Sequence, residues 1–351
     1  MAGCHSATCS YSLVAKSLGN EVKFGLLLTS VHDRSVPPRQ QIDEHRELIS
    51  LAVEAGMDLV VAGQHFVAPN LRYLQPIPYL ASVATQFPSV RVAAGVILLP
   101  LNHPVRVAEE VATLDVITNG RMILGVGGGY LQDEFDAFGV ERSSRVERME
   151  EGLPLIRELW TGSSVTTHTG YFQLDGASIS TLPIQQPNPP IWLGAQSEPA
   201  VRRAARLADA WYVPPFPTHR ELIDLYRIYL EERENNTGFS SASIPVRREV
   251  YLADGKAEAI AAINKAAASR YGTYADWGQE LASAGLAGGD WLDNRFLVGD
   301  SETVVDGLNT LVSHVGHSDF IYKPQWPGQD HKTAMDQLER FATEIIPHFP
   351  D

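Results

Sequence analysis

Eight times along this chain a short apolar run is followed by a stretch with helical spacing, and no other feature narrows the possible folds as much. The runs are "VKFGLLLTS" (22–30), "MDLVVAGQHF" (57–66), "VRVAAGVILLP" (90–100), "RMILGVG" (121–127), "IWLGA" (191–195), "AWYVPP" (210–215), "VRREVYLA" (246–253) and "SDFIYKP" (318–324). Mostly continuous apolar runs of this length suit parallel strands buried on both faces. Among the helical stretches, "QIDEHRELISLAVEAG" (41–56) stops at Gly56, and "DSETVVDGLNTLVSHVG" can be capped by Asp300 or Ser301. Two segments break the rhythm and read as insertions: 162–187, where "HTGYFQLDGASIS" alternates like a small hairpin before the Pro-rich "PIQQPNPP", and 272–300. Eight βα units in 351 residues predict a single α/β domain over 22–351, a (β/α)8 TIM barrel with insertions. Functional groups then belong at the C-terminal ends of the strands.

A formal net charge of −14 argues against nucleic acid or an anionic membrane as the main partner, because phosphate binding takes clustered Lys and Arg. No run reaches the roughly 18 apolar residues that a membrane span needs. "MAGCHSATCSYSLVAKSLGN" lacks the basic start and apolar core of a signal peptide, so residues 1–21 read as a flexible N-terminal extension and the cytoplasm is the expected location. With no zinc signature and no G-x-S-x-G elbow, no metal is expected and barrel hydrolases lose support.

"TNGRMILGVGGGY" (118–130) raises the alternative of a dinucleotide-binding turn. That fingerprint needs G-x-G-x-x-G early in a βαβ unit, with an acidic residue about twenty positions on at the end of the next strand. Here Tyr130 stands where the third glycine belongs, the unit is the fourth, and a long helix lies where the acidic strand end should be. What survives is that glycines after a barrel strand let the backbone approach a ligand closely.

The segment "ILLPLNHPVRVAEEVATLDVITNGRMILGVGGGYLQDEFDAFG" (97–139) resembles the bacterial luciferase-like, flavin-dependent monooxygenase family. "QHF" after strand two, "RVERMEEGLPLIRELWTG" (145–162) and "PPIWLGAQSEPAVRRAARLADAW" (189–211) extend the resemblance over residues 22–350. It implies a (β/α)8 barrel that uses reduced FMN with oxygen to oxidise a small organic molecule, or the deazaflavin coenzyme F-420 for hydride transfer. A flavin binder that has lost catalysis is a further alternative. No second nucleotide site is visible, so a separate flavin reductase is expected to supply the reduced flavin, and family habit suggests a homodimer.

The resemblance also carries roles onto residues. The flavin ring is expected near a non-proline cis peptide at the end of strand three, matched by Gly95, Val96 and Ile97, with Asn102 and His103 in the loop that follows. Gly127, Gly128, Gly129 and Tyr130 match a loop beside the ribityl chain and phosphate, and Gly194, Ala195, Gln196 and Ser197 match the loop that meets the phosphate. Amides at a helix start suit an anion, and Ser197 also reads as an N-cap.

Two positions depart from the family pattern. Many flavin users end strand two with Glu-His-His-Phe, where this chain has Gly63, Gln64, His65 and Phe66, so the carboxylate is absent and one imidazole is replaced by an amide. Luciferases have a phosphate-gripping arginine where this chain has Gly128, which moves phosphate binding toward backbone amides. A histidine beside the ring can donate a hydrogen bond or shuttle a proton, since imidazole titrates near neutral pH. His65 and His103 are the candidates, with Gln64 in the catalytic set by position; Phe66, Tyr73 and Trp326 are expected to wall the substrate pocket, and Trp192 to pack in the core. Glu141 and Arg145, four apart, read as a helix-surface pair.

Overall fold

The computed structural model describes residues 22–28, 32, 35–68, 71–236, 244–263, 295–326 and 329–350. Its strands are β1 Lys23–Leu28, β2 Leu59–Ala62, β3 Arg91–Leu98, β4 Met122–Gly127, β5 Val165–His168, β6 Gln173–Ala177, β7 Ile191–Gly194, β8 Ala210–Tyr212, β9 Ile244–Arg247, β10 Val250–Leu252, β11 Leu297–Gly299 and β12 His317–Tyr322. The helices used below are α1 Pro38–Glu54, α2 Pro76–Gln86, α3 Pro104–Thr118, α4 Gln132–Phe138, α5 Arg145–Leu159, α6 Glu198–Leu207, α7 His219–Glu234, α8 Ser301–Val315 and α9 His331–Arg340.

Eight strands hydrogen-bond in the parallel order β8-β7-β4-β3-β2-β1-β12-β9. The ring is closed by Val213, just past β8: its N–H donates to Pro245 O at 2.9 Å and its carbonyl accepts from Arg247 N–H at 3.0 Å. This is the (β/α)8 barrel that the alternation predicts. Alternate strand residues point to opposite faces, so Leu27, Leu59, Val61, Ala93, Ile123, Trp192, Ala210, Tyr212 and Ile321 fill the lumen. Leu26, Val60, Val92, Leu124 and Leu193 face the helices and form the larger core. Both faces are buried, which is why the strands read as continuous apolar runs.

The seventh run differs from its sequence reading. Residues 246–253 do not form one strand: β9 belongs to the barrel, while β10 leaves it after Arg248 and Glu249 and pairs in parallel with β11. A continuous apolar pattern fits two short buried strands as well as one longer one, so the break is invisible to periodicity. The first insertion is the expected hairpin, β5 antiparallel to β6. The Pro-rich approach to β7 is tied down by buried Asp115 of α3, whose carboxylate accepts from the N–H groups of Ile184 and Gln185 and from Gln185 Nε2. Asp300 caps α8 through Thr303 N–H. Residues 1–21 and all of 272–300 before Arg295 lie outside the described residues.

His219, the first residue of α7, offers a test of how burial shapes stability. Burial first, then the neighbouring Arg248 cation, push its pKa down to about 4. An unfolded histidine titrates near 6.5, so between these values the unfolded chain holds the extra proton. The stabilisation is fully present above about pH 6.5 and is lost as pH falls toward 4, an effect of about 3 kcal/mol. His219→Gln is expected to flatten the decline in urea midpoint over that window. An unchanged decline would remove His219 from the acid response.

Candidate active site

The mouth of the barrel, at the C-terminal ends of the strands, is built on one side from backbone. Above the lumen residues Ala93, Ile123 and Trp192 the same faces of β3, β4 and β7 carry Gly95, Gly125 and Gly194. The Gly95–Val96 peptide is cis, within the segment to which the sequence assigned such a bond. The β3–β4 register shifts between Ala94 and Ile97, and this brings the two backbones together: a Cβ on Gly125 would lie 2.2 Å from Ala94 O. Tyr212 of β8 lies against Gly95, its Cε1 3.4 Å from where a Cβ would be. Burial pushes the Tyr212 phenol up to about 12, and its hydroxyl has no hydrogen-bond partner among the described residues.

His65 follows β2 and is held from two sides. Its Nδ1 lies 3.0 Å from Oε1 of Glu134 in α4, and the same oxygen accepts the Phe66 N–H at 2.7 Å. The Glu134 side chain is wholly buried and that of His65 is 13% exposed. With Nδ1 against the Glu134 carboxyl, the imidazole is held in one orientation and its Nε2 edge faces away from that contact. The His65 ring meets Tyr73 and Tyr130 edge to face at 4.7 and 5.6 Å, and Gln75 Nε2 donates to the His65 carbonyl. The strand-two motif here has no carboxylate of its own, and the one that meets His65 comes from α4.

Past β4, the glycine loop leads into Tyr130, and past β7 Gly194 leads into Ala195, Gln196 and Ser197. β4 and β7 are parallel neighbours, paired Val126 to Leu193, so the two loops leave the sheet side by side. Ala195 is buried and its carbonyl accepts from Trp211 Nε1 at 2.8 Å, whereas Gln196 and Ser197 are exposed. Ser197 occupies the N-cap of α6 as expected, but its hydroxyl makes no capping bond. That hydroxyl and the first-turn amides remain available to an anion.

Other sequence candidates are placed elsewhere. Gln64 is buried with its amide committed: Oε1 accepts from Leu98 N–H at 2.9 Å and from Asn102 Nδ2 at 3.4 Å, and Nε2 donates to Gln75 Oε1 at 3.0 Å. Asn102 Nδ2 also donates to Leu98 O. Gln64, Phe66, Ile97 and Asn102 line a groove of about 550 Å³ between α2 and α3, on the outer side of the barrel wall. His103 is the N-cap of α3, its Nδ1 accepting from Val105 N–H, with its ring edge to face with Phe172 at 5.5 Å. Desolvation and then Arg148 lower its pKa. Trp326 donates Nε1–H to Val250 O and packs against Phe296 in a separate small core with Tyr251 and Val298. Trp192 is in the lumen core, as its strand position implies. The Glu141–Arg145 pair does not form, because Glu141 precedes the helices and Arg145 Nη1 donates to Arg142 O.

Sequence reading missed Glu134. Its signal is its phase in "LQDEF": Leu131, Glu134 and Phe135 are the buried positions of that stretch, and a carboxylate at i+3 of an apolar stripe needs a partner. Among the described residues no group of three His, Cys, Asp or Glu could hold a metal ion, and no helix is long and apolar enough to cross a membrane.

The family model for luciferase-like monooxygenases matches residues 22–318, and the chain belongs to that family. The oxygenase component of the flavin-dependent trigonelline monooxygenase of Acinetobacter baylyi is 26% identical over 340 residues, 89% of this chain and 91% of that protein. The oxygenating constituent of 3,6-diketocamphane monooxygenase from Pseudomonas putida, solved in complex with FMN, superposes with a TM-score of 0.76 at 19% identity, covering 94% of this chain and 99% of that one. The coenzyme F420-dependent tetrahydromethanopterin reductase of Methanopyrus kandleri shares the fold with a TM-score of 0.71 at 21% identity, covering 94% and 100%.

Proposed function

We propose that this protein is a flavin-dependent monooxygenase that binds reduced FMN in the barrel mouth and uses it with molecular oxygen to oxidise a small organic substrate. The observation that carries the reading is the joining of a side-chain-free half of the mouth, Gly95, Gly125 and Gly194, to the His65–Glu134 pair. A flat ring needs such a backbone floor. The glycine loop, the unused Ser197 hydroxyl and the orphaned Tyr212 hydroxyl fit a polar, phosphate-bearing group. When bound, reduced FMN supplies the electrons that activate oxygen.

The chain's own residues do the rest. The buried Glu134 holds the His65 ring in one orientation, so that Nε2 can hold or pass a proton at the reacting face. Tyr73 and Tyr130 flank the imidazole and exclude water, which strengthens each polar contact there. Gln64 and Asn102 act as positioning residues that fix the ends of β2 and β3. His103 holds the start of α3, and Trp326, tied to Val250 O, supports the wall beyond β12.

The relative's description as an oxygenase component supports a separate reductase as the source of reduced flavin. The half-exposed Val116 and Ile117 beside the α2–α3 groove support a homodimer, which light scattering would test. The cytoplasm remains the proposed location.

Mixing the reduced-FMN complex with oxygenated buffer tests the monooxygenase reading. The bound flavin is expected to reoxidise on a different, slower time course than free reduced FMN, because the site is shielded and hydrogen-bonded. Reoxidation at the free rate would indicate a binder without oxygenase chemistry.

A further inference from the structure

Of the three successive glycines at the end of β4, the fold accounts for two. A Cβ on Gly127 would lie 2.8 Å from Val96 Cγ2, and Gly129, with φ +71°, would press against the Phe135 ring at 3.2 Å. Gly128 has neither constraint. Among the described residues, the one heavy atom within 4 Å of its Cβ position, beyond its chain neighbours, is Cδ of Arg145, at 4.0 Å. Nothing in the packing of the described residues requires a glycine there, yet they leave the space in front of it open and an arginine borders it.

Arg145 is the first residue of α5 and is partly exposed. Its Nη1 donates to Arg142 O at 3.0 Å, and Arg142 Nη1 in turn donates to Tyr130 O at 3.1 Å, which fixes both guanidinium groups beside the glycine loop. Among the described residues no carboxylate lies within 4 Å of the Arg145 guanidinium. Several other arginines on this acidic chain pair with carboxylates: Arg202 with Glu198 and Glu232, Arg206 with Glu232, and Arg227 with Asp224. A guanidinium presents N–H pairs that match two oxygens of a phosphate, and it stays charged at any working pH.

We propose that Arg145 is the cation that grips the phosphate at the end of the cofactor's ribityl chain, entering from α5 the space that Gly128 leaves open; the inference rests on the reduced-FMN reading above. The backbone N–H groups of the loop and the Ser197 hydroxyl complete an anion site that is otherwise neutral. The phosphate of coenzyme F-420 has the same chemistry, so the arginine serves either cofactor and only the ring distinguishes them.

The test is a fluorescence titration of the full-length protein with FMN and with riboflavin, which lacks the phosphate, at low and at physiological salt, with an F-420 arm alongside. Wild type is expected to prefer FMN over riboflavin by more than about tenfold, with an affinity that weakens as salt rises. Arg145→Ala should raise the Kd for FMN by about ten- to a hundredfold and leave that for riboflavin unchanged. Gly128→Arg added to Arg145→Ala should restore the preference, because a side chain at 128 points into the space that Arg145 borders. A melting curve for each variant checks that the fold is intact. A wild-type preference for FMN that survives in Arg145→Ala overturns the arginine's role and leaves the cofactor reading standing. A wild type that binds FMN no better than riboflavin overturns both. In the F-420 arm the same ten- to hundredfold loss is expected in Arg145→Ala, and an F-420 affinity unchanged there overturns the statement that the arginine serves either cofactor.

Discussion

Replacing His65 with alanine is expected to slow the oxygen-dependent reaction of the FMN-loaded enzyme by about 10²- to 10⁴-fold while the melting temperature stays near wild type. The side chain is 13% exposed and stands at the mouth, so its loss opens space toward solvent rather than a sealed cavity. Glu134→Gln separates the two members of the pair. The amide oxygen can still accept from Phe66 N–H and His65 Nδ1, but the negative charge that favours a protonated Nδ1 is gone. A smaller loss, about tenfold, is expected, together with a shift in the pH–rate profile that a purely structural residue would not cause. Stopped-flow rates across pH 5.5 to 9 for the two variants decide the matter. Wild-type rates in His65→Ala would remove the imidazole from the mechanism.

Gly125→Ala is expected to destabilise the protein by about 3–5 kcal/mol, enough to abolish soluble expression or to lower the melting temperature steeply. The added methyl would sit 2.2 Å from Ala94 O and 3.3 Å from Gly95 Cα, inside the β3–β4 ladder where neither backbone can give way. Gly128→Ala, three residues on, is the control. The same methyl group there meets one arginine methylene at 4.0 Å, and a change of less than about 0.5 kcal/mol is expected. Equal melting temperatures for the two variants would mean that the close approach at the mouth has been misjudged.

Those two glycines show what a one-dimensional reading can and cannot recover. The eight apolar runs located the barrel strands because burial on both faces leaves a continuous signal, and Asp300, Gly56 and the 162–187 hairpin were legible from local turn and cap chemistry. The break between β9 and β10 was not, because the pattern is the same for one buried strand or two. At the mouth, the positions named from sequence, His65 and the glycine loops, lie at or just past strand ends. It could not foresee Glu134 facing His65 across 69 positions, nor that Gln64 would spend its amide on Leu98 and Gln75, since pairings between distant elements exist only after folding. His103 illustrates the same limit from the other direction. A histidine just before a helix can serve the mouth, cap the helix or do both, and only the folded chain shows that His103 Nδ1 caps α3.

The glycine-floored mouth is proposed to hold reduced FMN. Anaerobic titration of the wild-type protein, separately with reduced FMN and with reduced F-420, addresses it most directly. Saturable binding of reduced FMN at micromolar concentration, with F-420 weaker by tenfold or more, is the expected result. Tight binding of F-420 with none of FMN, or of neither, would contradict it.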